Sequence, residues 1–346
     1  MSKALIAMSG GVDSSVAAHL MLQQGASCIG ATMLLCGDLA PGGGAQDAAA
    51  VAERLGIPFY VFDHTALFKE KVVDAFVKCY EDGGTPNPCL YCNRHLKFDA
   101  LLQEAIKLGC NHVVTGHYAR IEQDENTGRY LLKKAADTAK DQSYFLSCLT
   151  QYQLEHTLFP LGAMTKEQVR SVAEQEGFVT AKKKDSQDIC FIPDGDYRSF
   201  LERYTGKCYP SGDYLDLSGN VVGTHSGAVG YTIGQRKGLG IALGEPVYVC
   251  SKDMDANTVT VGPNAALYSK VLLATDWNWI SIPDLTEPLR CKARVRYRHT
   301  EQPATVYPEE NGIARVEFDD PQRAITPGQT VVLYDGDTVI GGGTIL

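Results

Sequence analysis

"ALIAMSGGVDSS", residues 4–15, passes from an unbroken apolar stretch through two glycines into a segment with helical spacing. Residues 4–8 suit a buried strand, and 14–24 read as an amphipathic helix. Between them, adjacent Gly10 and Gly11 let the backbone turn tightly and aim N–H groups outward. Ser9, Ser14 and Ser15 add hydroxyl donors, and the positive end of the helix points to the same place. The loop therefore suits a phosphate or pyrophosphate. It lacks the glycine–lysine–serine ending of a Walker loop and is not a dinucleotide fingerprint. The competing reading is an ordinary glycine turn with Ser14 as a helix cap.

The pattern repeats outward. "CIGATML" (28–34), "PFYVF" (58–62) and "HVVTG" (112–116) are short, apolar and bounded by turn residues, with amphipathic stretches at 45–55 and 93–108. Gly25, Gly56 and Gly109 each stand where a helix ends. Such alternation predicts a parallel sheet covered by helices, with ligands at the carboxyl ends of its strands.

The chain has 346 residues, 44% hydrophobic and 21% charged, which suits a globular protein of more than one domain. No run approaches the apolar length of a membrane span. The start reads as a buried strand rather than a signal peptide. With that start, the 11 cysteines point to a reducing cytoplasm. The net charge of −9 argues weakly against nucleic acid as a partner, though it says nothing about local patches.

"TPNPCLYCNRHLKF" (85–98) carries the most specific thiols. Asn93 reads as the N-cap of a helix bearing Leu96, Ala100 and Leu101. That places Cys92 at the helix N-terminus, where the dipole favours a thiolate. Pro86 and Pro88 read as holding the approach extended. Cys190 follows in a segment with Asp185, Asp188 and Asp194. Each thiol has a bland alternative as a small buried hydrophobe. A structural zinc site lacks a second ligand pair, and a thioredoxin-like site lacks its context.

S-G-G-x-D-S in a first βα turn resembles the PP-loop ATP pyrophosphatases. Together with 85–98, "KDSQDICFIPDGDYRSFL" (184–201), "GYTIGQRKGLGI" (230–241), "GHYAR" (116–120) and "KDQSYFL" (140–146), it closely resembles the bacterial tRNA-specific 2-thiouridylases. That resemblance implies a PP-loop domain over 1–204. It implies replacement of oxygen by sulfur at C2 of a wobble uridine, with ATP and Mg2+, and the base leaving its stack. It puts ATP on Ala7, Met8, Ser9, Gly10, Gly11, Val12, Asp13, Ser14, Met33 and Gly116, and the target base on Asn87, Pro88 and Cys89. It puts tRNA on His117, Lys140, Asp141, Gln142, Arg294, Arg296, Tyr297, Arg298 and Gln329. Cys190 would carry a persulfide from a cysteine desulfurase or sulfur-relay protein, and Cys92 would be its partner thiol. Many relatives have aspartate at position 89. The cysteine here opens an alternative, an iron–sulfur cluster on Cys89, Cys92 and Cys190. Two other readings, a small-molecule PP-loop ligase and an inactive tRNA- or metal-binding module, leave the thiols or the intact loop without a role.

From about 205 the texture changes to short strands and Gly, Asp and Asn turns, predicting a central β-rich domain over 205–272 and a β-barrel over 273–346. "YDGD" (334–337) marks a hairpin. In "RCKARVRYRH" (290–299), Arg290, Lys292, Arg294, Arg296 and Arg298 fall at period two, so one strand would line all five along one face. That face reads either as solvated or as a ridge tracking tRNA phosphates. Lys182, Lys183 and Lys184 are expected to extend it, and "APGGGA" (40–45) reads as a shortened loop.

Overall fold

The computed structural model describes residues 3–37, 44–181, 183 and 189–346. Most of the short loop at 40–45, together with Lys182, Lys184, Asp185 and Asp188, lies outside the described residues.

The expected parallel sheet forms from β1 (Lys3–Ala7), β2 (Ser27–Leu34), β3 (Phe59–Asp63), β4 (His112–Val114) and a short strand at Thr157–Leu158, in the order β3-β2-β1-β4 and then that last strand. Leu5 and Ile6 are fully buried at its centre, as continuous apolar runs require when helices cover both faces. Helices α1 (Val12–Gln23) and α2 (Gly44–Leu55) pack on it and share a core of Val16, Ala17, Val51 and Ala52. A longer helical run starts at Pro88. It is α-helical over Pro88–Cys92, π-helical over Asn93–Ala100 and α-helical again over Leu101–Lys107.

A hairpin from this domain, β5 (Ala119–Gln123) and β6 (Tyr130–Lys134), leaves the parallel sheet behind. Counting Thr157–Leu158 as β7, a separate four-stranded sheet follows, with β8 (Gly212–Leu215), β9 (Val221–His225), β10 (Tyr248–Asp253) and β11 (Thr258–Gly262) in the order β10-β11-β8-β9. Tyr214, Val249 and Val259 fill its core.

Six antiparallel strands close the C-terminal barrel: β12 (Tyr268–Trp279), β13 (Leu289–Arg294), β14 (Gln302–Pro308), β15 (Ala314–Arg323), β16 (Thr330–Asp335) and β17 (Thr338–Ile345). They run β12-β15-β14-β13-β16-β17, and pairing of β12 with β17 completes the circle. The β16–β17 hairpin turns at Gly336–Asp337, where the D-G signal stands. Lys133 of β6 pairs with Thr338 of β17, so the hairpin ties the α/β domain to the barrel. Arg120 bonds Asp337 at 2.5 Å and Lys134 bonds Glu301 at 2.8 Å across that seam.

The basic strand departs from expectation. β13 stops at Arg294, and 295–298 turn away from the ladder. Arg290 and Lys292 do face out with Cys291 and Ala293 inside, but the five cations do not share one face. Arg290 is paired with Asp319, and Arg294 with Glu301 at 3.1 Å. Arg296 turns inward and donates to the carbonyls of Ile233 and Ala324 and to Thr326 Oγ1. The period-two pattern missed these partners because they lie on other elements.

Candidate active site

The loop after β1 enters a cleft of about 250 Å³ at the carboxyl end of the sheet. Ala7, Met8, Ser9, Asp13 and Ser14 form one wall, with Thr32, Met33 and Leu35 from β2 and its exit beside them. Thr115, Gly116, His117 and Gln142 follow on the far side. Gly10, with φ of +70°, turns under the cleft. A Cβ there would stand 2.2 Å from the carbonyl oxygen of Gly44, so only glycine lets the loop approach the start of α2. Gly11, Val12 and Gly10 thus shape the turn without lining the cleft. Ser14 Oγ accepts from Ser9 N at 3.2 Å and donates to the Gly11 carbonyl at 3.1 Å, holding the loop closed on the first turn of α1.

Asp13 is already occupied. Lys166, from the helix Lys166–Gln175, donates to both its oxygens at 2.8 Å, and Tyr118 Oη donates to Oδ1 at 2.8 Å. The expected magnesium therefore finds no free carboxylate on the loop. Among the described residues no three His, Cys, Asp or Glu side chains come together to hold a metal ion. Cys89, Cys92 and Cys190 accordingly do not form a cluster site in this arrangement.

The thiols are placed differently from the sequence expectation. Pro88 is the first residue of the helix, so Cys92 lies inside it and not at its N-terminus. A proline's missing N–H costs nothing there, which makes it a helix starter. Asn93 is buried mid-helix, and its Nδ2 donates to the Phe145 carbonyl at 2.8 Å instead of capping. Cys92 is 8% exposed, and burial pushes its thiol up to about 11. Cys89 and Cys190 are exposed. The sulfur in contact with Cys190 is that of Cys36, at 3.8 Å. Their hydrogen bond shifts the two thiols apart, the pKa of Cys36 down and that of Cys190 up.

The same helix joins thiols to cleft. Lys97 and Leu101, farther along the same helical run than Cys92, line the cleft. Burial raises the pKa of the Cys89 and Cys92 thiols and the Cys36 contact raises that of Cys190, and the charge of Lys97 offsets these shifts only in part. Asn87, Pro88 and Cys89 do not line this cleft. Asn87 lines a narrow cavity against the barrel with Thr330 and Gly342, Pro88 is buried, and Cys89 faces out.

The expected tRNA residues divide. His117 and Gln142 belong to the cleft wall. His117 Nδ1 bonds Thr115 Oγ1 at 2.7 Å, and desolvation pushes its pKa well below the histidine range. Asp141 is turned inward, where it accepts from Ala135 N, Ser143 N and Ser143 Oγ and fixes a turn. Tyr297 packs on Phe145 at 4.4 Å between ring centres. Gln329 donates to the carbonyls of Thr85 and Pro86, clamping the approach to Cys89 onto the barrel. Lys140 is half-buried and Arg298 is exposed. Lys183 does not extend a surface ridge; its Nζ bonds the Gly10 carbonyl at 3.0 Å and Asp47 at 2.7 Å.

Sequence reasoning missed Lys166, Tyr118, Lys97 and Cys36. Lys97 had a signal, since it lies on the same helical run as Cys92 and Leu101. Cys36 stands just past the carboxyl end of β2, where ligands gather in such folds. Lys166 had none, because its partner is 153 positions away.

Three family models cover the chain. The tRNA methyl transferase HUP domain matches residues 2–194, the tRNA methyl transferase PRC-barrel domain 198–263, and the aminomethyltransferase beta-barrel domain 269–345. The tRNA-specific 2-thiouridylase MnmA of Acetivibrio thermocellus is 50% identical over 354 residues, covering 99% of both chains. The chain belongs to the tRNA-specific 2-thiouridylase family. The 2-thiouridylase MnmA of Clostridioides difficile is 49% identical, over 99% of this chain and 98% of that one. Among solved structures, the U34-tRNA thiolase NcsA from Methanococcus maripaludis with its [4Fe-4S] cluster matches at a TM-score of 0.37 and 18% identity, over 59% of this chain and 67% of that one. That likeness is too slight for a residue comparison. As a 2-thiouridylase the protein is a tRNA-uridine sulfurtransferase acting on tRNA. No described helix is long and apolar enough to cross a membrane.

Proposed function

We propose that this thiouridylase adenylates C2 of a wobble uridine with ATP and replaces the C2 oxygen by sulfur delivered from a persulfide on Cys190. The observation that carries this reading is the shared helix. Cys89 and Cys92 occupy its first turns, and Lys97 and Leu101 bring the same helix into the wall of the phosphate-loop cleft.

In this reading the backbone N–H groups of the Ser9–Ser14 loop and the N-terminus of α1 hold the triphosphate. Met33, on the β2 side of the cleft, lies against the base of ATP. Lys97 keeps positive charge beside the phosphates as pyrophosphate departs, and Lys166 neutralises the Asp13 carboxylate that would otherwise repel them. The terminal sulfur of the Cys190 persulfide attacks C2 and AMP leaves. A second thiol must then free the transferred sulfur from Cys190, a role that the family resemblance gives to Cys92. A cysteine desulfurase or sulfur-relay protein reloads Cys190, which is exposed as such an exchange requires. Cys89 serves as an accessory at the helix start, and Arg298 and Lys292 meet tRNA phosphates. The units of the reading are 1–204, 205–272 and 273–346.

The test is a reconstitution with tRNA, ATP and a persulfide donor. It should yield 2-thiouridine at the wobble position with one AMP and one pyrophosphate per sulfur. ADP and phosphate as products, or no thiolation, would reject it.

A further inference from the structure

Two side chains hold Asp13, and one segment of chain anchors both. Lys166 Nζ donates to the two carboxylate oxygens at 2.8 Å, and Tyr118 Oη donates to Oδ1 at 2.8 Å. The main chains of these two residues are gripped in turn by residues 137–142. Gln142 Oε1 accepts from Tyr118 N at 2.9 Å, and Gln142 N donates to the Tyr118 carbonyl at 2.9 Å. Asp137 Oδ2 accepts from Lys166 N at 3.0 Å. The segment is stiffened from within: Asp137 Oδ1 accepts from Ala139 N, and Asp141 accepts from Ala135 N and Ser143 N across its base. Tyr118 is buried in the same core as Val12 and Val16 of α1, so its ring passes on a shift of its backbone instead of absorbing it. The same segment reaches the substrates, because Gln142 lines the cleft with Asp13 and Ser14. Adenylation joins the α-phosphate of ATP to the C2 oxygen of the uridine, so the base must enter this cleft and meet its wall. With the Gln142 amide oxygen committed to Tyr118 N, its N–H groups are left to donate to a uracil carbonyl.

We propose that Tyr118 is a positioning residue that couples the two substrates, so that tRNA and ATP each tighten the binding of the other. The inference rests on the adenylation reading above. A base seated on Gln142 fixes the 137–142 segment, and that segment fixes Tyr118 and Lys166 on Asp13. The carboxylate then stays neutralised, and the triphosphate meets no opposing charge there. By linkage, the bound triphosphate favours the same arrangement and raises the affinity for tRNA by an equal factor. Couplings of this kind run to about 5- to 150-fold.

The experiment measures binding without reaction. Full-length protein is titrated with α,β-methylene ATP, whose α–β bridge does not cleave, with and without saturating unmodified tRNA. It is then titrated with that tRNA, with and without saturating analogue. In the wild type each ligand is expected to lower the Kd of the other by the same factor, at least about fivefold. Tyr118→Phe keeps the ring and removes the hydroxyl. It is expected to bring the factor below about twofold while tRNA alone binds as it does to wild type. A hydroxyl that only supported the fold would weaken the analogue equally with and without tRNA, so an unchanged factor in Tyr118→Phe overturns the proposal. Asp137→Ala removes the acceptor of Lys166 N and is expected to lower the factor in the same direction; it decides the matter if Tyr118→Phe does not fold, an undiminished factor again overturning the proposal. A wild-type factor of one overturns it whatever the variants do, and leaves the adenylation reading standing. No binding of the analogue to the wild-type protein, with or without tRNA, overturns both.

Discussion

Replacing Gly116 with alanine should damage the proposed ATP cleft through space alone. Gly116 follows β4 and packs against the first turn of α1. A Cβ added there would meet the Asp13 carbonyl carbon and Ser14 N at 2.7 Å and Asp13 Cβ at 2.9 Å. Two of these three atoms are backbone, so no side-chain rotation relieves them. Carbon contacts settle at about 3.5–4.0 Å, so the start of α1 must withdraw by roughly 0.8 Å. Overpacking of this kind costs about 1–3 kcal/mol of stability. The functional cost is expected to be larger, because the displaced segment carries Asp13 and Ser14 of the cleft wall. A misplacement near 1 Å lowers rates by up to about 100-fold. We therefore expect a fall of about 10- to 100-fold in kcat/KM for ATP, read by tRNA-dependent pyrophosphate release. Affinity for tRNA should be unchanged by filter binding. Gly230→Ala is the control, since its added Cβ meets only Arg198 side-chain carbons, at 3.5–3.9 Å. Wild-type pyrophosphate release by Gly116→Ala, with a thermal transition that matches the control, would refute the close approach as the reason for glycine.

Three further outcomes follow from the site. Cys190→Ser should abolish 2-thiouridine formation while tRNA-dependent pyrophosphate release continues, whereas Cys89→Asp should keep measurable thiolation; mass analysis of nucleosides and a pyrophosphate assay decide both. Lys292→Ala and Arg298→Ala should each flatten the salt dependence of tRNA binding by about one unit of slope, whereas Arg296→Ala should lower the melting temperature, because three oxygens each lose a hydrogen bond and the Ile233 carbonyl loses its side-chain donor; an unchanged melting temperature would return Arg296 to the surface. The folded protein holds His117 neutral while the unfolded chain protonates it near pH 6.5, so its contribution is present above that pH and lost as pH falls below it; His117→Gln should flatten the decline in urea resistance between about pH 7 and about pH 5, and a decline as steep as wild type would contradict this.

What the sequence disclosed and what it withheld separate along a physical line. The first βα turn was legible because every signal in residues 4–15 is local: a buried strand, two glycines and a helix start. The helix at 88 was misread because two local signals competed. Asn93 is a favourable N-cap and Pro88 a favourable first helical residue, and nothing nearby ranks them. The decision comes from the barrel, where Gln329 and the Pro327 carbonyl grip Thr85 and Pro86, and from the Phe145 carbonyl, which takes the amide of Asn93. The basic strand failed for the same reason, since periodicity reports which face a residue would take but not whether a distant carbonyl draws it off the ladder. Lys166 meets Asp13 across 153 positions, and Cys36 meets Cys190 across 154. In each pair one member lies in the first two βα turns and the other in the last part of the α/β domain. The floor of this site is thus written locally in the first 37 residues. The groups that neutralise its carboxylate and touch its reactive sulfur come from the chain folding back over it, so a change at 166 or 190 should act on the first loop as directly as a change within it.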